Sequence, residues 1–242
     1  MWALGRRTLD LLYPPRCPGC DTRVEHLGFC PPCVAETAPV RSPMCPACGI
    51  PFAGPFGNDH LCGRCLTRRP RFDRARACAV YRGTGDTGST LAVALHRYKY
   101  NRDVTLAPVL GNLLAERCPL PCEYDLVVPV PLHLSRLRWR GFNQSLLLAK
   151  PLAQRLGLEL DPFVLLRTRA TLPQVRLDEV DRRRNISGAF AVRDRRAIRG
   201  RRILLVDDVY TTGATVDECA RTLRRAGARQ IDVLVLARAV LQ

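Results

Sequence analysis

Beyond residue 74, the chain alternates between two patterns of hydrophobic and polar positions. Short apolar runs with the length of buried strands lie at Ala75–Tyr81, Leu126–Val130 and Ile203–Val206. Segments with apolar residues three or four positions apart, as on one face of a helix, lie at Ser89–Tyr98, Val104–Glu116 and Asn143–Leu156. This alternation predicts an α/β domain with a mostly parallel sheet flanked by helices.

One stretch of this domain fits neither pattern. Residues Arg167–Asn185 are polar and arginine-rich, and their apolar positions follow no period. We expect a long loop or hairpin inserted in the domain, of a kind that often serves function.

The first 74 residues are marked by regularly spaced cysteines. Eight of the chain's twelve cysteines form four Cys-x-x-Cys knuckles: Cys17 and Cys20, Cys30 and Cys33, Cys45 and Cys48, Cys62 and Cys65. Two thiolates three residues apart on a tight turn can face one ion, and two knuckles complete a closed tetrahedral site. The sequence therefore predicts a small zinc-binding module, residues 1–74, with two structural zinc ions and a core separate from that of residues 75–242.

The grouping of these cysteines is open at this stage. Pairing consecutive knuckles assigns Cys17, Cys20, Cys30 and Cys33 to one ion and Cys45, Cys48, Cys62 and Cys65 to the other. A cross-braced arrangement is the alternative, and the Cys-x-x-Cys spacing also serves thiol exchange. We expect His26 and His60 to be bystanders. The remaining cysteines, expected to be core or incidental thiols, are Cys78, Cys118, Cys122 and Cys219.

Charge narrows the class of partner. The chain has 38 basic and 22 acidic residues, a net charge of +16, which points to anionic partners such as phosphates or nucleic acid. Only Lys99 and Lys150 are lysines, so the preference for arginine also fits a nucleotide bias in the genome.

No apolar run approaches the roughly 18–20 residues of a membrane span, and residues 1–15 show no secretory cleavage pattern. We expect a cytoplasmic protein without membrane insertion, of open oligomeric state.

The segment Ile203–Thr215 carries the most specific chemistry. An apolar strand ends in two carboxylates, Asp207 and Asp208, and a turn rich in hydroxyls and glycine then opens a helix. Hydroxyls and helix N-terminal amides can surround a phosphate, and Gly213 lets the backbone come close. The carboxylates suit ribose hydroxyls or the shell of a magnesium ion. The structural alternative is an acidic strand end followed by threonine N-caps.

This segment closely resembles the phosphoribosyl pyrophosphate (PRPP) binding motif of type I phosphoribosyltransferases. The resemblance implies that fold, a mostly parallel sheet flanked by helices. It also implies that the loop binds the 5′-phosphate and that the catalytic acidic pair, Asp207 and Asp208, contacts the ribose 2′ and 3′ hydroxyls. The loop residues are Thr211, Thr212, Gly213, Ala214 and Thr215.

With the four knuckles, three further stretches narrow the resemblance to the ComF family, named for competence protein F. They are Leu95–Tyr100, the segment from Val128 to Gln144, and the segment from Gln174 to Phe190. This family joins an N-terminal double zinc ribbon to a phosphoribosyltransferase domain. The resemblance implies that Arg136 and Arg140 bind pyrophosphate, for which guanidinium forks are suited, against the alternative of a solvated basic turn. Lys99 is either a phosphate contact or a helix-end charge. The implied lid residues are Gln174, Arg182 and Asn185.

Two hypotheses for function follow from the resemblance. One is a phosphoribosyltransferase that binds PRPP with magnesium and acts on an unknown acceptor. Thr211 stands where purine-type relatives have an aspartate, which disfavours a purine acceptor. The other is a non-catalytic accessory protein that senses PRPP or binds single-stranded DNA, because the family implies a role in natural competence with DNA or DNA-uptake proteins as partners.

Overall fold

The computed structural model of the chain describes residues 14–37, 39–54, 56–81, 89–118, 120, 123–171 and 179–240. Gln174 and Cys122 lie outside the described residues. For Arg182 only the backbone is described. Within these ranges, no helix combines the length and the apolar composition needed to cross a membrane.

Eight helices and six strands are described. The helices are α1 Pro31–Glu36, α2 Gly63–Thr67, α3 Thr90–Tyr100, α4 Ala107–Glu116, α5 Leu134–Arg140, α6 Gln144–Leu156, α7 Glu179–Ile186 and α8 Ala214–Arg225. The strands are β1 Arg74–Tyr81, β2 Leu126–Pro129, β3 Leu165–Arg167, β4 Phe190–Val192, β5 Arg202–Tyr210 and β6 Gln230–Ala239.

Four parallel strands form the central sheet, in the order β1-β6-β5-β2. Strand β2 lies beside β5, with Pro129 opposite Val206, and the backbone N–H of Val130 donates to the Val206 carbonyl at 2.9 Å. Because parallel strands end at the same edge of the sheet, the loops that follow β2 and β5 meet there. The prediction of a mostly parallel sheet flanked by helices is confirmed. Strands β3 and β4 form a separate antiparallel pair.

Two elements differ from the sequence expectations. Strand β5 continues past the apolar run to Tyr210, because β6 pairs with it over its whole length, so Asp207 and Asp208 lie inside the strand. The expectation of an aperiodic loop over Arg167–Asn185 is wrong at its C-terminal end, where α7 forms. Ile186 at the end of α7 is only 2% exposed and packs in the core, so tertiary burial stabilises a helix whose own sequence has almost no apolar face.

Apolar side chains pack on both faces of the sheet. On one face, α3, α4 and α6 contribute Leu95, Leu114 and Leu152. On the other face, α8 and the β3–β4 pair contribute Leu223 and Phe190. The sheet is therefore the middle layer of the domain, and the runs 126–128, 203–206 and 233–237 of its strands are continuously apolar because neither face of the sheet meets solvent there.

The second cysteine cluster belongs to this core. Cys45, Cys48 and Cys65 pack in the same buried group as Ile203 of β5 and Val216 of α8. The expectation of separate cores is therefore wrong for the second ribbon, because so small a module buries too little apolar surface alone. The division of the chain at residue 74 stays a prediction.

The first ribbon has a small cluster of its own. It is formed by Cys17, Cys30 and Cys33, with Val24 and Phe29 packed against it. Polar contacts join this ribbon to α3: the Glu36 carboxylate accepts from the backbone N–H of Thr90 at 3.3 Å, and the Asp21 carboxylate lies 3.3 Å from the Arg97 guanidinium. The first ribbon therefore packs against the N-terminal part of the α/β domain through polar contacts with α3.

Candidate functional site

The eight knuckle cysteines form two clusters. The sulfur atoms of Cys17, Cys20, Cys30 and Cys33 lie within 4.8 Å of one another, and so do those of Cys45, Cys48, Cys62 and Cys65. Four thiolates at such separations fit one tetrahedral zinc ion with no open position, which is the chemistry of a structural site. Consecutive pairing is the arrangement in the structure, and neither described cluster includes a histidine.

Hydrogen bonds lower the pKa of thiols in both clusters. Hydrogen bonding by Thr22 lowers the pKa of Cys20 to about 6. Burial raises the pKa of Cys45, but hydrogen bonds from the backbone N–H groups of Cys48 and Cys62 outweigh it and lower the pKa to about 7. Because zinc binds the thiolate, these donors favour the ligating form at neutral pH.

Asp207 and Asp208 are buried near the carboxyl end of β5. Oδ1 of Asp207 accepts from the Ser145 hydroxyl at 2.8 Å and from the backbone N–H of Asp208 at 2.9 Å. Oδ2 of Asp208 lies 2.9 Å from the Lys99 ammonium. Burial and then the charge of Asp208 raise the pKa of Asp207 to about 7. A buried carboxyl group with a displaced pKa, next to a second buried carboxyl group, is typical of a functional site.

The predicted phosphate loop connects β5 to the first turn of α8. Gly213 precedes this helix with φ of +79°, and a Cβ atom there would lie 2.2 Å from the Tyr210 hydroxyl oxygen, so the turn requires glycine. Thr212 is buried, and its hydroxyl accepts from the backbone N–H of Ala214 at 3.4 Å. Thr215 is half-buried in the first turn. The loop therefore presents amides and hydroxyls at a helix N-terminus, an arrangement that binds anions.

Basic side chains from α3 and α5 lie near the acidic pair. Lys99 of α3 pairs with Asp208, so it is more than a helix-end charge. Arg140 at the end of α5 is only 6% exposed, and its Nε has no hydrogen-bond partner in the described part of the chain. Burial lowers the pKa of Arg140, and the charge of Asp208 opposes that effect. A buried guanidinium with an unpaired N–H suits an anionic ligand, and its burial does not fit the alternative of a solvated basic turn.

Sequence reasoning missed three residues that contact the acidic pair or the predicted phosphate loop. They are Ser145, which holds Asp207, Arg238 on β6, which donates to the Thr211 carbonyl, and Arg64 on α2, which donates to the Thr212 carbonyl. A signal existed for Ser145: Asn143 has the residue type of a helix N-cap, and its Oδ1 accepts from the Ser145 backbone N–H at 3.0 Å. This cap places Ser145 in the first turn of α6, facing β5. No comparable signal marks Arg64 or Arg238 among so many arginines.

The lid expected from the sequence is only partly described. Gln174 lies outside the described residues, and no side chain is described for Arg182. The Asn185 carbonyl accepts from the Arg169 guanidinium at 3.1 Å. Arg167, where the expected lid begins, has a half-buried guanidinium stacked 5.6 Å from the centre of the Phe190 ring. Closure of this segment therefore stays a prediction.

Comparisons with known proteins identify the family. A double zinc ribbon domain model matches residues 8–66, and a phosphoribosyl transferase domain model matches residues 143–240. DNA utilization protein YhgH of Salmonella typhi is 37% identical over 225 residues, which cover 89% of this chain and 92% of that protein. Competence protein F of Haemophilus influenzae is 29% identical over 241 residues, which cover 97% of this chain and 95% of that protein. The chain belongs to the ComF family.

The candidate site of this ComF-family protein extends beyond the matched phosphoribosyl transferase region. The acidic pair, the phosphate loop, Ser145, Arg167 and Arg238 lie inside residues 143–240, whereas Lys99, Arg136 and Arg140 precede them. Among solved structures, glutamine PRPP amidotransferase from B. subtilis is similar, at 23% identity and a TM-score of 0.37, over 52% of this chain and 25% of that chain. The ComF-family chain thus matches about a quarter of that enzyme's length.

Proposed function

We propose that this protein binds PRPP together with magnesium at the carboxyl ends of β2 and β5. One observation carries the proposal: the buried acidic pair Asp207–Asp208 is followed by the phosphate loop and interacts electrostatically with the buried, partly unpaired Arg140. A ligand with both ribose hydroxyls and phosphates satisfies all three features. The carboxylates accept hydroxyl hydrogen bonds, and the loop and the arginine bind anions.

Each part of PRPP has a proposed partner in the site. The loop Thr211–Thr215 holds the 5′-phosphate through amides and hydroxyls. Asp207 and Asp208 hold the ribose 2′ and 3′ hydroxyls, and Ser145 keeps the Asp207 carboxylate in position. Arg136 and Arg140 neutralise the pyrophosphate, and Lys99 is released from Asp208 to contact it.

Magnesium would arrive with the pyrophosphate group of the ligand. The buried carboxylates and the phosphate oxygens are the hard oxygen donors that this ion prefers, so the residues present fit it. Bound magnesium would supply charge neutralisation of the leaving pyrophosphate. The side chains of Arg136, Arg140 and Lys99 supply the same kind of stabilisation from the protein.

Phosphoribosyl transfer is the reaction that such a site supports. The bond from the anomeric carbon to the pyrophosphate oxygen breaks, pyrophosphate leaves with the bonding electron pair, and a nucleophilic acceptor forms the new bond and loses its proton. Catalysis by this chain would consist of positioning and of electrostatic stabilisation by the basic side chains. Thr211 does not accept that proton as an aspartate would, so the acceptor is of a class that needs no carboxylate base at this position.

Isothermal titration of the zinc-loaded protein with PRPP tests the proposal. Binding should require magnesium and should be lost in the double variant Asp207→Asn with Asp208→Asn, because the amides remove both charges and keep the shape. Asp194→Asn is the matched control, since Asp194 is exposed and is not one of the residues placed in the site. Absence of PRPP heat in the wild-type protein at millimolar ligand rejects the ligand. Release of pyrophosphate in an acceptor screen then distinguishes transfer from PRPP sensing.

A second proposed function is binding of single-stranded DNA. Trp139 and Tyr100 are 53% and 47% exposed, and the guanidinium of Arg102 lies 5.6 Å from the Trp139 ring centre. Exposed aromatic rings beside cations are what successive bases and phosphates of a single strand require. The net charge of +16 and the names of the relatives, DNA utilization protein and competence protein, favour the same partner.

A further inference from the structure

Two arginines bind three successive carbonyl groups, those of Tyr210 at the end of β5 and of Thr211 and Thr212 in the phosphate loop. Nη1 of Arg238 donates to the carbonyl oxygens of Tyr210 at 3.0 Å and Thr211 at 2.8 Å. Nη2 of Arg64 donates to the carbonyl oxygen of Thr212 at 2.9 Å. The peptide groups from Tyr210 to Gly213 are thus all anchored by their carbonyl oxygens.

This anchoring determines where the amides of the loop point. In a planar trans peptide, the C=O of one residue and the N–H of the next point in opposite directions. With the carbonyls of Tyr210, Thr211 and Thr212 bound to arginines, the N–H groups of Thr211, Thr212 and Gly213 face away from those arginines. Successive amides on one side of a turn form a concave binding site for an anion.

One of the two arginines is part of the second zinc site. Arg64 lies between the ligands Cys62 and Cys65 of a single knuckle, on α2. The geometry of that knuckle therefore sets the position of Arg64 relative to Thr212. A second contact joins the same ribbon to α8, since the backbone N–H of Arg71 donates to Oδ1 of Asp217 at 2.6 Å.

The other arginine depends on the same cluster for its charge balance. Arg238 is only 3% exposed, and among the described residues it forms no ion pair with a carboxylate. It is stacked 4.1 Å from the centre of the Tyr210 ring and lines one crevice together with Cys48, Cys62 and Cys65. Four thiolates around one divalent zinc ion leave a net negative charge, which is the counter-ion that a buried guanidinium requires.

We propose that Arg64 and Arg238 are positioning residues and that the second zinc cluster holds the phosphate loop in its anion-binding form through them. The inference rests on the proposed function, because it concerns the same loop. It assigns the second ribbon a role in binding the 5′-phosphate, beyond its contribution to folding. Loss of zinc from this cluster then weakens phosphate binding at a site made of other residues.

Two probes separate the loop from the rest of the site. Ribose 5-phosphate reports on the phosphate loop, and inorganic pyrophosphate with magnesium reports on Arg136 and Arg140. Titration calorimetry on Arg64→Met should show ribose 5-phosphate binding weakened roughly tenfold, with pyrophosphate binding unchanged, because one charged donor to the loop is lost. Arg64→Lys should restore most of the affinity, since the ammonium also donates to the Thr212 carbonyl.

Matched variants control for charge and for folding. Arg69→Met removes an exposed arginine that lines the same crevice and should leave both affinities within about twofold of the wild-type values. Arg238→Lys keeps the charge but reaches fewer carbonyls, so it should weaken ribose 5-phosphate at least as much as Arg64→Met. Cys62→Ser should lower the zinc content by one ion and weaken the same probe, while circular dichroism reports whether the sheet stays folded.

Three outcomes overturn the inference alone, and a fourth overturns it together with the proposed function. The first outcome is that Arg64→Met binds ribose 5-phosphate as tightly as the wild type does. The second is that Arg64→Met loses affinity for both probes equally, because that result indicates a general structural effect. The third outcome is that Arg69→Met weakens ribose 5-phosphate binding as much as Arg64→Met does, which would show that only net charge matters. Wild-type protein that binds neither probe rejects the proposed function, and the inference with it.

Discussion

The Ser145 hydroxyl donates a 2.8 Å hydrogen bond to Oδ1 of Asp207, which joins the first turn of α6 to the carboxyl end of β5. Ser145 is fully buried and Asp207 nearly so. Burial raises the pKa of Asp207 to about 7, with the charge of Asp208 adding to the effect, whereas the hydrogen bond from Ser145 lowers it. The serine therefore stabilises the ionised carboxylate and orients it where a ribose hydroxyl would bind.

Ser145→Ala should lower the free energy of unfolding by about 1–2 kcal/mol, because a buried carboxylate loses one donor. Urea unfolding followed by circular dichroism measures the change. Ser187→Ala, at an exposed position, should stay within about 0.5 kcal/mol of the wild type. Equal stability of Ser145→Ala and Ser187→Ala would show that the hydrogen bond contributes nothing.

The reduced wild-type protein should contain two zinc ions per chain by elemental analysis. Cys17→Ser and Cys45→Ser should each retain one zinc ion. The two cysteines are equally buried, so burial of the mutated side chain does not distinguish the two variants. Because only Cys45 packs in the core of the sheet, Cys45→Ser should destabilise the α/β domain by about 2 kcal/mol more than Cys17→Ser. Thermal unfolding gives that comparison, and identical losses would contradict the shared core.

Gly213→Ala should destabilise the protein by about 1–3 kcal/mol and abolish PRPP binding. Gly213 has φ of +79°, and its new Cβ would lie 2.2 Å from the Tyr210 hydroxyl oxygen. Gly188→Ala is the matched control, because Gly188 has φ of +70° but open space around the Cβ position. The control should show only the backbone cost, about 1 kcal/mol. If Gly213→Ala lost no more stability than Gly188→Ala, the proposed clash with Tyr210 would be contradicted.

Binding of a fluorescent single-stranded oligonucleotide should weaken steeply with salt, with a logarithmic slope of about −0.7 for each phosphate neutralised. Trp139→Ala should weaken it about tenfold at constant salt through loss of base stacking. Phe163→Ala is the control, since Phe163 is 62% exposed and no arginine is described over its ring. Fluorescence anisotropy that shows salt-independent binding, or equal effects of both variants, rejects the DNA hypothesis.

Local spacing made much of this protein predictable from its sequence. Two cysteines three residues apart can face one ion in any fold, so the four knuckles could be identified from spacing alone. In the structure, consecutive knuckles share a cluster of sulfur atoms. The apolar runs of β2 and β5 and the helical period of α6 likewise predict their own elements. The segment Ile203–Thr215 identified the loop because strand, acidic pair and glycine turn are adjacent along the chain.

Only the tertiary structure decided which distant groups meet. Lys99 pairs with Asp208, and Arg64 reaches Thr212, across many residues and between different elements, so no period or spacing could predict either contact. The shared core of the second ribbon and the helix ending at Ile186 arise for the same reason. Burial of apolar surface against other parts of the chain stabilises them, and that surface exists only once the sheet has formed.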